Sequence, residues 1–228
     1  QQLIATQKEL SSGISHELRT PIARLRFALE MLAETDSSAE RERLWAMMET
    51  DLDELDNLID TSLTYARLER EAPVPHYSPL NLAGWLEEEV DAIRPLGRRL
   101  DIGVDTTRLP DGFAADLDKK ALPYALRNLM RNAIKYAGGR IVVSAELDAD
   151  TIYIHVDDDG IGIPPEEREH VFSAFTRLDR SRDRSTGGYG LGLAIARRVM
   201  ELHQGTATAD ASPLGGARFT LAWPRPAA

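Results

Sequence analysis

"RNLMRNAIKY", residues 127–136, spaces Asn128, Asn132 and Lys135 at steps of four and three. On an α-helix those three side chains share one face. An amide oxygen is a hard ligand suited to Mg²⁺, and a neighbouring lysine can meet phosphate. Asn and Lys on a helix are just as commonly solvated, so the stretch needs company. Two further stretches supply it. "DDDGIGIP", residues 157–164, ends an apolar run and puts Asp158 ahead of Gly160 and Gly162. The glycines let the backbone turn and approach a ligand closely. A carboxylate can accept a hydrogen bond from the exocyclic amine of adenine and would repel the oxygen that guanine carries there. Taken alone, a tight turn with surface acids explains this stretch equally well. "STGGYGLGLAIA", residues 185–196, leads glycines 187, 188, 190 and 192 into a helix. A helix N-terminus behind glycines offers free N–H groups and a positive dipole end to phosphate. The glycine spacing is wrong for a dinucleotide fingerprint, and no G-x-x-x-x-G-K-[ST] is present.

Around these stretches the chain alternates helix and strand. "NLAGWLEEEVDAIRPLG" (81–97) reads as a capped helix, and "RLDIGVDT" and "FAADLD" as strands. The asparagine helix is expected to start at Asp118. "RIVVSAELDADTIYIHVDDDG" (140–160) reads as two antiparallel strands around a turn at Asp148–Asp150. A long loop runs from about Asp159 to Tyr189, with Arg177, Arg180, Arg182 and Arg184 in it. The helix 190–205 is expected to close at Gly205, and a hairpin ends the chain. Without a regular βαβ rhythm, this half is expected to be an α+β two-layer sandwich.

The first half differs. Leu3, Leu10, Ile14, Leu18, Ile22, Leu25, Leu29 and Leu32 mark one helix face. Leu44, Met48, Leu52, Leu55, Ile59, Leu63 and Ala66 mark another. The polar "ETDSSAE" (34–40) between them suits a turn and a cap. Two helices cannot enclose both stripes, so a dimeric four-helix bundle is expected. On periodicity alone a coiled-coil spacer fits as well. "REAPVPHYSP" (70–79) breaks the helix with three prolines. The expected division is a helical hairpin over 1–69, a linker over 70–76 and a second domain over 77–228.

Composition narrows the classes. The 228 residues hold 27 Lys plus Arg against 37 Asp plus Glu, a formal charge of −10. That disfavours a general nucleic-acid binder but not a nucleotide held in a local pocket. With no cysteine, disulfides, thiol catalysis and cysteine-based zinc sites are excluded. No apolar run approaches the roughly 20 residues of a membrane helix, and no signal-peptide pattern is visible. The chain opens on Gln1 in mid-pattern, as a piece of a longer protein would.

The three glycine and asparagine stretches, in this order, resemble the ATP-binding domain of the GHKL group, which includes gyrase, Hsp90, MutL and the histidine kinases. The resemblance implies a Bergerat-type fold with ATP under a lid. It implies Asn132 as the Mg²⁺ ligand with Asn128 supporting it, Lys135 and Tyr136 lining the nucleotide, and Asp158 reading adenine. Gly160, Gly162, Gly188, Gly190 and Gly192 would shape the pocket. "VFSAFTRLD" (171–179) is similar to the phenylalanine motif of the histidine-kinase lid, with Phe172 and Phe175 packing and Arg177 facing phosphate.

"SHELRTP", residues 15–21, distinguishes within that group. At about 100° per residue, His16 lies roughly 160° from Leu18 and so points away from the apolar stripe. A lone surface histidine is usually idle. Here Glu17 can take or orient an imidazole proton during attack on phosphorus. Thr20 falls one turn on, where its hydroxyl can position a water. Pro21 removes a backbone donor and is expected to bend the helix. The stretch resembles the phosphoacceptor motif of HisKA-type sensor histidine kinases. That resemblance implies autophosphorylation of His16, transfer to an aspartate of a response-regulator receiver domain, and, through Glu17 and Thr20, dephosphorylation of that regulator. It further implies a homodimer and the cytoplasmic portion of an inner-membrane sensor whose membrane segments lie outside this chain. A GHKL ATPase without a phosphohistidine and an idle dimeric binding module are the rival readings.

Overall fold

The computed structural model describes residues 2–71, 74–176 and 189–225, with side chains described for 12–70, 74–176 and 189–225. The chain divides into two compact units, the first reaching Ala66 and the second starting at Arg67. The first is built on helices α1 (Gln2–Glu34) and α2 (Ser38–Glu71). The turn between them is capped as its residues suggest: the Glu40 N–H donates to Ser37 Oγ at 3.4 Å. Arg24 of α1 reaches Asp51 and Glu54 of α2, each at 2.5 Å, and Asp51 is buried. One guanidinium nitrogen, Nη2, meeting both carboxylates fixes the register of two helices that are otherwise held by non-directional apolar contact. Ala28, Leu44 and Leu58 are buried, whereas Ile22, Leu29, Trp45, Leu52 and Ile59 are exposed. The exposed set recurs seven residues apart on each helix, the spacing of an interhelical seam. Helix α1 continues through Pro21, the residue expected to bend it. The missing N–H leaves only the Glu17 carbonyl without its helical donor.

The second unit is a sheet covered on one face. Strands β2 (Asp101–Arg108), β4 (Arg140–Asp148), β5 (Thr151–Asp158), β7 (Ala217–Pro224) and β6 (Thr206–Ala211) lie in that spatial order. The β2–β4 pair is parallel and the rest are antiparallel. Register aligns Val143, Val156 and Phe219 in one row and Ala145, Ile154 and Leu221 in the next. All of these are buried. Helices α3 (Leu82–Ile93), α4 (Leu122–Tyr136) and α5 (Gly192–Leu202) pack against the sheet. Leu126, Leu129 and Met130 of α4 are fully enclosed, each such side chain contributing about 1.5–3 kcal/mol. The opposite sheet face is polar: Arg218 forks onto Asp157 with both contacts at 2.8 Å, and His155 Nδ1 meets Thr220 Oγ1 at 2.8 Å.

Three local expectations need correction. The asparagine helix begins at Leu122, not Asp118. Asp118 instead ends strand β3 (Ala114–Asp118), and a turn intervenes. Its carboxylate accepts from the Lys120 and Ala121 N–H groups at 2.8 and 3.1 Å, and from His76 N–H at 2.8 Å. Residues 77–81, expected only to lead into a helix, form strand β1 (Tyr77–Asn81), paired with β3 in a separate two-stranded sheet. Five residues containing a proline carry little strand signal, and proline is tolerated because the pair is all edge. Finally, the left-handed residue closing α5 is Gln204, at φ 56°, not Gly205. Gly205 N–H donates to Met200 O at 2.8 Å and Gln204 N–H to Glu201 O at 3.1 Å, a Schellman closure. Gly205 is required for space, since a Cβ there would lie 2.8 Å from Trp223 Cβ.

Asp118 generates a test. Burial acts to raise its carboxyl, but its three backbone donors outweigh burial and hold it below the ordinary carboxylate range. A lowered native value means the contribution is complete above the unfolded value of about 4 and is lost as pH falls through the native one. Asp118→Asn should therefore destabilise the second unit by about 1–3 kcal/mol at pH 7. In urea unfolding, the gap between variant and wild type should narrow as pH drops below about 4.

Candidate functional site

His16 stands on α1 with its side chain 75% exposed, beside Glu17 at 25%. Nδ1 lies 3.4 Å from Glu17 Oε1. That is long for a charge-assisted bond, as catalytic pairs often are before a reactant tightens them. With the proton on Nδ1 and donated to the carboxylate, Nε2 holds the lone pair and faces solvent. Thr20, half-buried one turn on, lies on the same side of the helix.

In the second unit, strand parity decides the fate of three consecutive aspartates. Asp158 shares a row with Ile141 and so faces the helices, and it is buried. Asp157 points to the opposite face, onto Arg218. Asp159, past the strand end, accepts from the Gly138 and Gly139 N–H groups at 2.8 and 3.0 Å. The backbone donors of Arg140, Gly139 and Gly138 hold its carboxyl below the usual range. Asp158 goes the other way. Burial pushes its carboxyl up, against the Ala217 and Gly160 N–H groups. Both of those donors fall on Oδ1, at 3.1 and 2.8 Å. Oδ2 is the oxygen left to an incoming amine.

The glycines around Asp158 are set by space. A Cβ on Gly160 would run into the carbonyl of Tyr136, lying 2.8 Å from its carbon and closer still to its oxygen. Gly162 adopts φ 66° and would place a Cβ 3.3 Å from Gly216 O. On α4, Asn128, Asn132, Lys135 and Tyr136 are half-buried. Lys135 Nζ sits 4.7 Å over the Tyr136 ring. Asn128 donates to Tyr124 O at 2.8 Å. Its Oδ1 faces the start of α5, where a Cβ on Gly192 would come within 2.8 Å of it. No side chain caps α5 at Leu191, so its first N–H groups are available to an anion.

Gly190 adopts φ 70°, and a Cβ there would meet Phe175 C at 2.8 Å. The Phe175 N–H donates to Gly190 O at 2.9 Å. Phe175 itself is held at φ 61°, a costly conformation for a bulky residue. Phe172 packs edge-on to Phe219 at 6.4 Å and under Arg197 at 5.0 Å. Arg177 and Gly188, along with Gly187 and Arg180, Arg182 and Arg184, lie outside the described residues. The sequence pointed to Asn128, Asn132, Lys135, Tyr136, Asp158, Gly160, Gly162, Gly190 and Gly192; of these, Tyr136, Asp158, Gly160 and Gly162 meet around Gly216, Asn128 meets Gly192, and Gly190 lies against Phe175. It did not point to Asp159, the Tyr136 carbonyl, Gly216 or the Ala217 N–H. Three of these act through backbone atoms, which no residue type advertises. The paired glycines 215 and 216 were the available signal.

Gly160→Ala must push the Tyr136 carbonyl aside. It is expected to lower affinity for ADP at least about tenfold by calorimetry, with a fall in melting temperature of the second unit.

Residues 117–227 match the family described as Histidine kinase-, DNA gyrase B-, and HSP90-like ATPase. Residues 6–71 match the His Kinase A (phospho-acceptor) domain. The chain is 43% identical to Sensor protein RstB of Escherichia coli (strain K12) over 222 residues, covering 97% of this chain and 50% of that protein. It is 36% identical to Sensor histidine kinase CpxA of the same strain over 226 residues, covering 97% and 48%. It thus spans about half the length of these relatives. Among solved structures, full-length ShkA in complex with AMPPNP is similar at a TM-score of 0.70 and 27% identity, covering 97% of this chain and 46% of that one. Histidine kinase ThkA in complex with response regulator protein TrrA shares the fold at a TM-score of 0.77 and 21% identity, covering 98% and 63%. With both domain families present in order and a sensor kinase aligned along nearly its whole length, this chain belongs to the sensor histidine kinase family.

Proposed function

We propose that the chain is the kinase core of a two-component sensor: a dimerising hairpin over residues 1–69, a linker over 70–76 and an ATP-binding domain over 77–228. The observation that carries the reading is His16, solvent-facing with Glu17 on its Nδ1 side, in a chain that also holds the close glycine crossing around Asp158. A carboxylate whose two backbone donors both fall on Oδ1, glycines that let three chain segments meet beside it and a helix α5 with no side-chain cap suit an adenine nucleotide. The AMPPNP bound to the related ShkA supports the same occupant.

Asp158 Oδ2 accepts the adenine amine, and the first turn of α5 and Lys135 meet phosphate. Asn132 would hold Mg²⁺ with Asn128 behind it, and the ion would neutralise phosphate charge. Arg177 would add a further cation, and Gly188 would complete the glycine loop. His16 Nε2 then forms a bond to the γ-phosphorus as the bond to the bridging oxygen breaks and ADP departs. The Nδ1 proton passes to Glu17. Most of the acceleration comes from positioning and charge neutralisation. The phosphoryl group next moves to an aspartate of a response-regulator receiver domain docked on the His16 face. Thr20 and Glu17 orient the water that later removes it.

The exposed heptad residues Trp45, Leu52 and Ile59 of α2 and Ile22 and Leu29 of α1 support a second copy completing a four-helix bundle. Among the described residues no helix is long and apolar enough to cross a membrane. Attachment to the inner membrane, with this portion in the cytoplasm, would lie with segments outside the chain.

Incubation with γ-labelled ATP tests the reading. An acid-labile, alkali-stable label should appear on the wild type and vanish in His16→Gln. Asn132→Ala should cut the rate about 100-fold or more. Thr20→Ala should keep the label yet slow regulator dephosphorylation at least about tenfold. ATP turnover unchanged in His16→Gln would overturn the kinase assignment.

A further inference from the structure

The β6–β7 turn lies more than 50 residues beyond Asp158 in the chain, yet it is built into the Asp158 site. The Gly216 N–H donates to Asp158 O at 3.2 Å, and the next N–H, of Ala217, donates to Asp158 Oδ1 at 3.1 Å. The Gly216 carbonyl in turn lies beneath Gly162. Gly216 sits so close that a Cβ there would overlap Asp158 Oδ1 and Gly160 N, and would lie 2.6 Å from Asp158 O. The turn is braced internally. The Ser212 N–H donates to Gly216 O at 2.9 Å, the Gly215 N–H to Ser212 O at 3.0 Å, and the Leu214 N–H to Ser212 Oγ at 3.0 Å. Ser212 is buried. The carboxylate is therefore oriented from both sides: Gly160 and Ala217 fix Oδ1, and the bare Gly216 Cα gives that oxygen its only room.

We infer that Gly216 is a specificity-determining position for the base: its missing side chain lets the β6–β7 turn hold the Asp158 carboxylate with Oδ2 presented to an exocyclic amine. The inference rests on the adenine-nucleotide reading above. Gly216 is a positioning residue, touching no ligand. A side chain there overlaps the Asp158 carboxylate and also the Gly160 N and Asp158 O backbone atoms, so the turn and the carboxylate must move apart, and discrimination between an amine and an oxygen at that edge of the purine is lost. Phosphate contacts, made from α4 and α5, remain.

The test compares ADP with inosine diphosphate, which carries oxygen in place of the amine, by calorimetry on the full 228-residue chain. Wild type should favour ADP at least about 30-fold. Gly216→Ala should bring the ratio to within about threefold of unity, mainly through weaker ADP binding. Asp158→Asn should do the same, and the double variant should add nothing to either. Leu214→Ala, in the same turn but clear of the carboxylate, should keep the wild-type ratio. Ser212→Ala loosens the turn without a clash and should lower the ratio about threefold, so the inference stays testable if Gly216→Ala does not fold. An unchanged ratio in Gly216→Ala, or in Ser212→Ala if it must stand alone, overturns the inference while leaving the nucleotide reading intact. So do losses that add fully in the double variant. A wild-type chain that binds neither diphosphate overturns both.

Discussion

Three chain segments meet at the end of β5 more closely than side chains allow. The last carbonyl of α4, the Gly160 turn and the first residues of β7 converge on the Asp158 carboxylate. Much of the second unit follows from that crossing. β5 must be central to pair with β4 on one side and β7 on the other. α4 must end above it, which fixes where Asn132 and Lys135 lie. The β6–β7 hairpin must turn at Gly216. A carboxylate with two backbone donors on one oxygen is also electrostatically pre-set. Its burial cost is partly met by two N–H groups already in place.

The two candidate sites use opposite physics. His16 is exposed on a long helix with one carboxylate beside it, as the proposed phosphoacceptor role requires. The Asp158 carboxylate is instead buried, with its immediate neighbours mostly backbone. A chain of net charge −10 can still accept a polyanion because the favourable field there is local. In the proposed reading it comes from the start of α5 and from Lys135, whereas the surplus acids are screened by solvent.

Side-chain chemistry was legible when it had a period or a spacing. The α1 and α2 stripes, the shared face of Asn128 and Asn132, the outward His16 and the β4–β5 hairpin all follow from 3.6- and 2-residue repeats. Element ends were less legible. Asp118 looked like a helix start, yet it ends a strand, and its carboxylate holds the turn ahead of α4 through the Lys120 and Ala121 N–H groups rather than capping the helix. Gly205 looked like a left-handed cap, yet Gln204 takes that conformation while Gly205 makes way for Trp223. In each case the residue type was informative and the position was decided by what packed against it.

The sequence by itself determined the division into a helical half and a sandwich half, the identity of the phosphoacceptor motif and the set of glycines and asparagines that belong together. Those properties depend on order and periodicity, which a chain carries before it folds. Only the tertiary structure decided which of three adjacent aspartates faces the helices, because that depends on the parity of β5 within its sheet. It alone decided that Gly216 belongs to the Asp158 site, because steric exclusion between segments distant in sequence exists only once they touch.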